Sequence, residues 1–212
     1  MPKFDHHLHT SRHSPDSSID PVELIERASE IGLDGVVITD HDYQWEPDEL
    51  AELAAMAKGL RVFSGAEVSA REGHFLVYGL PSLKEAPAGI TVAELVSVVK
   101  RHGAAIVAAH PFRWDQPFDA IIEKLGPVFD ALELVSNNVT PDTRAKAEAL
   151  LQRQPMGRTG SSDGHEVAAV GCYYTEFPQP ITTMADFVAA LHSRQGRPRH
   201  RAGAWQSSGP VD

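Results

Sequence analysis

Short apolar runs alternate along the chain with longer segments in which apolar residues recur every three or four positions. This is the pattern of repeated β-α units. The runs predict strands over Lys3 to Leu8, Gly35 to Thr39, Arg61 to Val68, Phe75 to Tyr78, Ala104 to Ala109, Ala131 to Val135 and Met156 to Gly160. Helical spacing predicts a first helix opening at Pro21, with Leu24, Ile25, Ala28 and Ile31 on its apolar face. Further helices are predicted over Pro47 to Lys58, Thr91 to His102, Gln116 to Leu125, Pro141 to Gln152 and Met184 to His192. Two starts are marked chemically. Asp20-Pro21-Val22-Glu23 joins an N-cap acid, a first-turn proline and a capping-box glutamate, and Thr91 with Glu94 forms a second such pair. From Arg194 the pattern stops. Residues 194–212, with Trp205 their only large apolar residue, are expected to be a tail behind a domain spanning 1–193. The arginines at 197, 199 and 201 suit either a phosphate backbone or a plain solvated terminus.

Composition narrows the classes. At 212 residues, 42% hydrophobic and 23% charged, the chain can bury a core without disulfides. A formal net charge of −10 argues against a long nucleic-acid footprint, which needs clustered cations to displace phosphate counterions. No run approaches the roughly 18 apolar residues of a membrane span, and no apolar segment follows the N-terminus, so a cytoplasmic protein is expected. Cys172 is the only cysteine, which excludes an intramolecular disulfide and a thiolate zinc site. Any metal must be held by imidazoles and carboxylates.

Those groups gather at strand ends. In Asp5-His6-His7-Leu8-His9-Thr10, alternation along an extended strand points His7 and His9 the same way and His6 the other. The second strand runs into Thr39-Asp40-His41-Asp42 and the third into Gly65-Ala66-Glu67. The fourth opens at Gly73-His74, the fifth closes at Ala109-His110-Pro111, and the seventh reaches Ser161-Ser162-Asp163-Gly164-His165. In α/β folds ligands collect outside the carboxyl ends of strands. Any one of these residues alone reads as a hydrogen-bonded rim residue. Together they would be expensive to desolvate without cations, and imidazole with carboxylate suits zinc, manganese and iron.

With these motifs laid out, the chain resembles the PHP family, named for polymerase and histidinol phosphatase, from Lys3 to about His192. The resemblance implies a distorted (β/α)7 barrel of the α/β class, with two or three divalent metal ions (Mn, Zn or Fe) at the carboxyl ends of its strands, that hydrolyses phosphoesters. It implies one metal at His7, His9, Glu67 and Asp163, a second at Glu67, His74 and His110, and a third at Asp16, His41 and His165. Asp16 is chosen over His13 because Ser14-Pro15-Asp16-Ser17 is similar to the family's Ser-x-Asp segment, although other members place a histidine there. His102, His192 and His200 fall outside the motifs. The stretch Gly164 to Phe177 looks like the small stand-alone phosphoesterase branch rather than a polymerase module. The inserted subdomain of related nucleotide phosphatases is missing between Gly79-Leu80 and Thr91, so a more open site is expected.

The activity so implied is cleavage of a phosphomonoester or phosphodiester by metal-activated hydroxide. The substrate would be a small phosphorylated metabolite, a nucleotide or a short oligonucleotide. Arg113 is the candidate phosphate ligand and, with Asp163, the candidate catalytic residue; a plain surface ion pair is the other reading of Arg113. Asp40 or Asp42 could orient an imidazole, and Asn137 and Asn138 could bind substrate or simply form a turn. Two other classes compete: a metallohydrolase of an ester, amide or carbamate bond, and a non-catalytic metal-binding domain.

Overall fold

In the computed structural model, which describes residues 1–202, the chain begins with the parallel alternation that its apolar runs predict. Its elements are β1 (Lys3–Asp5), α1 (Pro21–Glu30), β2 (Gly35–Ile38), α2 (Pro47–Met56) and β3 (Arg61–Ser64). The antiparallel hairpin of β4 (Ala66–Ala70) and β5 (Gly73–Tyr78) follows. Alternation resumes with α3 (Val92–His102), β6 (Ala105–Ala108), α4 (Phe118–Leu125), β7 (Ala131–Val135), α5 (Pro141–Arg153) and β8 (Gly157–Gly160), and β9 (Tyr173–Glu176), α6 (Met184–His192) and β10 (Arg197–His200) end the described chain. The caps act as read. Asp20 accepts from the Val22 and Glu23 amides, and the Thr91–Glu94 box is closed in both directions. Thr140 with Thr143 and Thr183 with Asp186 close two more, at α5 and α6.

The fold is mixed α/β, and its backbone ladders make two five-stranded sheets, ordered β10-β9-β1-β2-β3 and β4-β5-β6-β7-β8; these ladders do not by themselves show a closed ring of seven strands. Each seam has a local cause. At the first, the expected strand Arg61 to Val68 breaks at Gly65 into β3 and β4, which belong to different sheets. A Cβ on Gly65 would stand 2.6 Å from the Val77 carbonyl oxygen and 2.8 Å from the Tyr78 ring. Gly65→Ala is therefore expected to cost about 2 kcal/mol, as overpacking against backbone does. A lower urea midpoint at unchanged slope would register that loss; an unchanged midpoint would mean the bend relaxes freely. At the second seam a side chain does the work of a ladder: Thr175 Oγ1 accepts from the Gly160 amide at 2.9 Å and donates to the Gly160 carbonyl at 2.8 Å.

The expectation of a tail from residue 194 needs correction. Arg197–His200 pairs antiparallel with β9, Arg199 Nε meets Glu176 Oε2 at 2.8 Å, and Arg201 donates to the Ile31 carbonyl. An edge strand reading Arg-Pro-Arg-His carries no apolar alternation, so its sequence gives no strand signal. Residues 203–212, Trp205 included, lie outside the described residues.

Alternate residues of the central strands feed different cores. Ile106 and Ala108 of β6 pack outward with Leu95, Val99, Phe118 and Phe129, beneath α3 and α4. Ala105, Val107 and Ala109 face an interior shared with Phe4, Val37, Leu76 and Tyr78, to which α6 adds Phe187 and Leu191. The first sheet is covered by α1 and α2 through Leu24, Ile25, Ala28 and Leu53. Burial on both faces is what makes these strands read as unbroken apolar runs. Between Leu80 and Thr91 the chain forms one 3-10 turn, Leu83–Glu85. Among the described residues no helix is long and apolar enough to cross a membrane.

Candidate metal centre

The apolar strands stop where the polar motifs begin, and the backbone then brings those motifs together. The Leu8 amide donates to Thr39 Oγ1, the Thr39 amide to the Leu8 carbonyl, and the His9 amide to the Gly164 carbonyl. The extended course of β1 thus continues to His9 between two neighbours. His7 and His9 share one side, while His6 turns to Tyr78 Oη at 2.8 Å and Thr175 Oγ1 at 3.2 Å, away from the cluster. Glu67 enters two residues past the bend at Gly65, paired to His41 in an isolated parallel bridge. His110 and Asp163 have φ of 26° and 50°, conformations costly for residues with a Cβ and characteristic of held functional positions.

Glu67 is the hub. Its Oε1 lies 3.0 Å from His74 Nδ1 and 3.2 Å from His110 Nε2. Its Oε2 lies 3.3 Å from His7 Nε2, 3.2 Å from His9 Nε2 and 3.1 Å from His41 Nδ1. Asp163 Oδ1 is 3.3 Å from His7 Nε2, 3.4 Å from His9 Nε2 and 3.7 Å from His165 Nδ1. Asp16 Oδ2 is 3.1 Å from His41 Nε2 and 3.2 Å from His165 Nε2. All nine positions singled out from the motifs therefore meet at one place. His13 does not join them; it pairs with Glu49 at 2.9 Å and stacks on Tyr43.

The donor set fits cations. Sets such as His7–His9–Asp163, His7–Glu67–His110, His41–Glu67–His74 and His9–His41–His165 each offer ligand atoms within 4.8 Å of one another. The Nε2 atoms of His7 and His9 are buried and make no properly directed hydrogen bond, although carboxylate oxygens stand close by. Buried polar atoms without a partner are rare in folded proteins and mark a missing ligand or ion. Burial works against ionising Glu67 and Asp163, yet the His7 charge and the surrounding imidazole donors hold both carboxyls well below the usual range. The site is built to carry negative charge toward whatever cation enters.

A surrounding layer orients these groups, and most of it was not legible in the motifs. Glu133, fully buried on β7, accepts from His7 Nδ1 at 3.1 Å, from Ser161 Oγ at 2.5 Å and from the His110 amide at 2.9 Å. In the sequence it is one acid in a strand, Ala-Leu-Glu-Leu-Val, and an inward position in a buried strand was its only signal. Asp40 acts through a serine: Ser14 Oγ donates to Asp40 Oδ1 at 2.7 Å and lies 3.3 Å from His9 Nδ1. Asp42 instead accepts from the Ser69 amide on β4. Asp5 anchors the last motif by accepting from Ser162 N, Ser162 Oγ and Gly171 N, and burial pushes its carboxyl up to about 6.

The mouth of the site is a cavity of ≈ 340 Å³ whose lining includes Arg113, Asn137 and Asn138 beside the cluster. Asn138 Nδ2 donates to Asp163 Oδ2 at 2.5 Å, and Asn137 Nδ2 to the Ser162 carbonyl at 2.7 Å. Arg113 makes no ion pair among the described residues; its guanidinium lies 3.9 Å from the Trp114 ring centroid. The surface-ion-pair reading of Arg113 thus finds no partner here. Cys172 is buried behind Asn137, and burial pushes its thiol up to about 12. A maleimide at pH 8 is expected to leave Cys172 unlabelled in the folded protein and to label it in urea; fast native labelling would mean this wall opens.

Comparison with known proteins places this geometry. PsfC from Pseudomonas syringae superimposes with a TM-score of 0.73 at 21% identity, over 95% of this chain and 92% of that one. A two-domain Bacteroides vulgatus protein, described as containing a predicted PHP-like metal-dependent phosphoesterase, gives 0.72 at 18% identity, over 94% of this chain and 64% of its own. An amidohydrolase from Chromobacterium violaceum with bound sulfate gives 0.65 at 18% identity, over 94% and 98%. Likeness at these identities establishes shared fold. In sequence, the family model of the PHP domain matches residues 5–157, and that of the PHP-associated segment matches residues 141–195. The chain belongs to the PHP domain family.

Proposed function

We propose that this protein is a metal-dependent phosphoesterase that takes a phosphomonoester or phosphodiester of a small metabolite, nucleotide or short oligonucleotide. The observation that carries the reading is Glu67, whose two oxygens face two different imidazole sets, as a carboxylate shared between cations must. His7, His9, Glu67 and Asp163 would hold one ion, Glu67, His74 and His110 a second, and Asp16, His41 and His165 a third. Bound divalent ions supply Lewis acidity toward phosphoryl oxygens and lower the pKa of water. The chain supplies position. Glu133 fixes the His7 ring so that Nε2 faces the cluster, and Arg113, which forms no ion pair among the described residues, pairs phosphate oxygens at the mouth. The phosphoesterase named for the Bacteroides relative supports this chemistry.

The test is metal-stripped protein reconstituted with manganese and offered a phosphomonoester, a nucleoside bisphosphate, a phosphodiester and a carboxyl ester. Metal-dependent phosphate release is expected from at least one of the first three. Ester cleavage alone would favour the second reading, a metallohydrolase of a carbon-centred bond, which the amidohydrolase among the structural relatives keeps in play. Glu133→Gln is expected to weaken metal binding by about tenfold, as loss of an orienting carboxylate does. Calorimetry with zinc measures it, and wild-type affinity would remove Glu133 from that role.

A further inference from the structure

The segment from His110 to Pro117 does more than line the candidate metal centre. Phe112, Trp114 and Asp115 have φ of 69°, 52° and 54°, so three of four consecutive side-chain-bearing residues sit in the left-handed region. Such backbone persists only where its surroundings hold it. Held here is an exposed indole: Trp114 is 66% accessible, although large hydrophobic side chains elsewhere are mostly buried. Its ring stands edge-on to His74 at 5.5 Å and to His110 at 5.8 Å, with Arg113 over it.

A second cavity of ≈ 310 Å³ adjoins the first, and His74, His110, Arg113 and Trp114 line both. Arg71, Glu72, Asp115 and Gln116 complete its polar wall, the Glu72 carboxylate being engaged by the Val92 amide. Gln116 Oε1 accepts from the Phe112 amide, while its Nε2 is buried with no hydrogen-bond partner. We infer that this second cavity is a subsite for a planar heteroaromatic group esterified to the phosphate, stacked on Trp114 while the phosphate meets Arg113 and the metal cluster. The inference rests on the phosphoesterase reading and names its substrate class. A flat apolar face suits a π-system, and flanking guanidiniums suit an electron-rich ring. A nucleobase and a simpler aromatic alcohol share that chemistry.

The experiment compares pairs that differ only in the ring, adenosine monophosphate against ribose 5-phosphate and benzyl phosphate against cyclohexylmethyl phosphate. Metal-loaded wild type, Trp114→Ala and Trp114→Phe are assayed for kcat/KM and, by calorimetry, for Kd. Wild type is expected to favour the ring-bearing member of a pair by roughly tenfold, the scale of a base stacked on an aromatic side chain. Trp114→Ala should bring that ratio near one, and Trp114→Phe should retain most of it. Preference in the first pair alone identifies a nucleobase, and preference in both identifies any aromatic ring. A ratio of one in wild type, with ribose 5-phosphate turned over, overturns the subsite alone, as does an unchanged ratio in Trp114→Ala. If no phosphate ester is bound or cleaved, the phosphoesterase reading falls and the subsite with it.

Discussion

Asp163→Ala is expected to lower phosphoester turnover about 10³-fold or more while leaving a folded protein, since several kcal/mol of ion-based stabilisation are lost at about 1.36 kcal/mol per tenfold. Asp163 and Glu67 are the carboxylates within reach of both His7 and His9, and Asp163 also approaches His110 at 3.7 Å. Burial opposes its charge, but the His7 charge and the neighbouring imidazoles of His9 and His110 win, so the group enters the site ionised. Removing it takes one full negative charge from a buried cluster of imidazoles. The fold should survive, because the local backbone is held independently: the Ser162 amide and hydroxyl bind Asp5, and Gly164 bonds to His7 and His9. Asp163→Asn keeps the shape and loses the charge, and it is expected to be as inactive as the alanine variant. Steady-state assays with circular dichroism and bound-metal analysis check both. More than a tenth of wild-type activity in either variant would take Asp163 out of the chemistry.

Metal removal is the second large effect. Stripping the protein with a chelator is expected to lower its melting temperature by about 10 °C, and stoichiometric zinc or manganese should restore it. Ligand present at a thousand times its dissociation constant contributes about 4 kcal/mol, and each kcal/mol moves the midpoint of a chain this size by about 2–4 °C. The physical source is in the geometry. Glu67 and Asp163 are ionised and almost fully buried, and His7 and His9 present buried Nε2 atoms with no directed partner. Without a cation, balance falls to protons: the neighbouring carboxylates outweigh burial and hold His7 well above the usual imidazole range and His9 up to about 9. Scanning calorimetry against metal concentration measures the shift. A midpoint independent of metal would mean that the cluster is satisfied without ions, and would count against the metal-dependent hydrolase and the non-catalytic metal-binding domain alike.

Much of the site was legible because it is written in local patterns. Two-residue alternation put His7 and His9 on one side and His6 on the other, which the hydrogen bonds of His6 to Tyr78 and Thr175 reproduce. Strand ends were recognisable as abrupt changes from apolar to ionisable residues, and the helix starts at Asp20 and Thr91 as cap chemistry. Less was visible wherever a residue acts at long range. Glu133 is 126 positions from the histidine it orients, and Asp5 lies 157 from Ser162. No local period encodes such pairs.

By itself the sequence determined the α/β alternation, the helix boundaries set by caps, the restriction of metal ligands to imidazole and carboxylate, and the strand ends as the place for chemistry. These follow from side-chain volume, hydrogen-bonding capacity and backbone period, which act over a few residues. Tertiary structure alone decided the rest. It broke the third run at Gly65, because a bend there needs a residue without a Cβ, and so divided the strands into two sheets. It drew Arg197–His200 onto β9, where pairing to a neighbouring backbone, which hydropathy does not record, makes the strand. It also turned the two Glu67 oxygens toward different imidazoles, because that depends on where five separate segments of chain come to rest against one another.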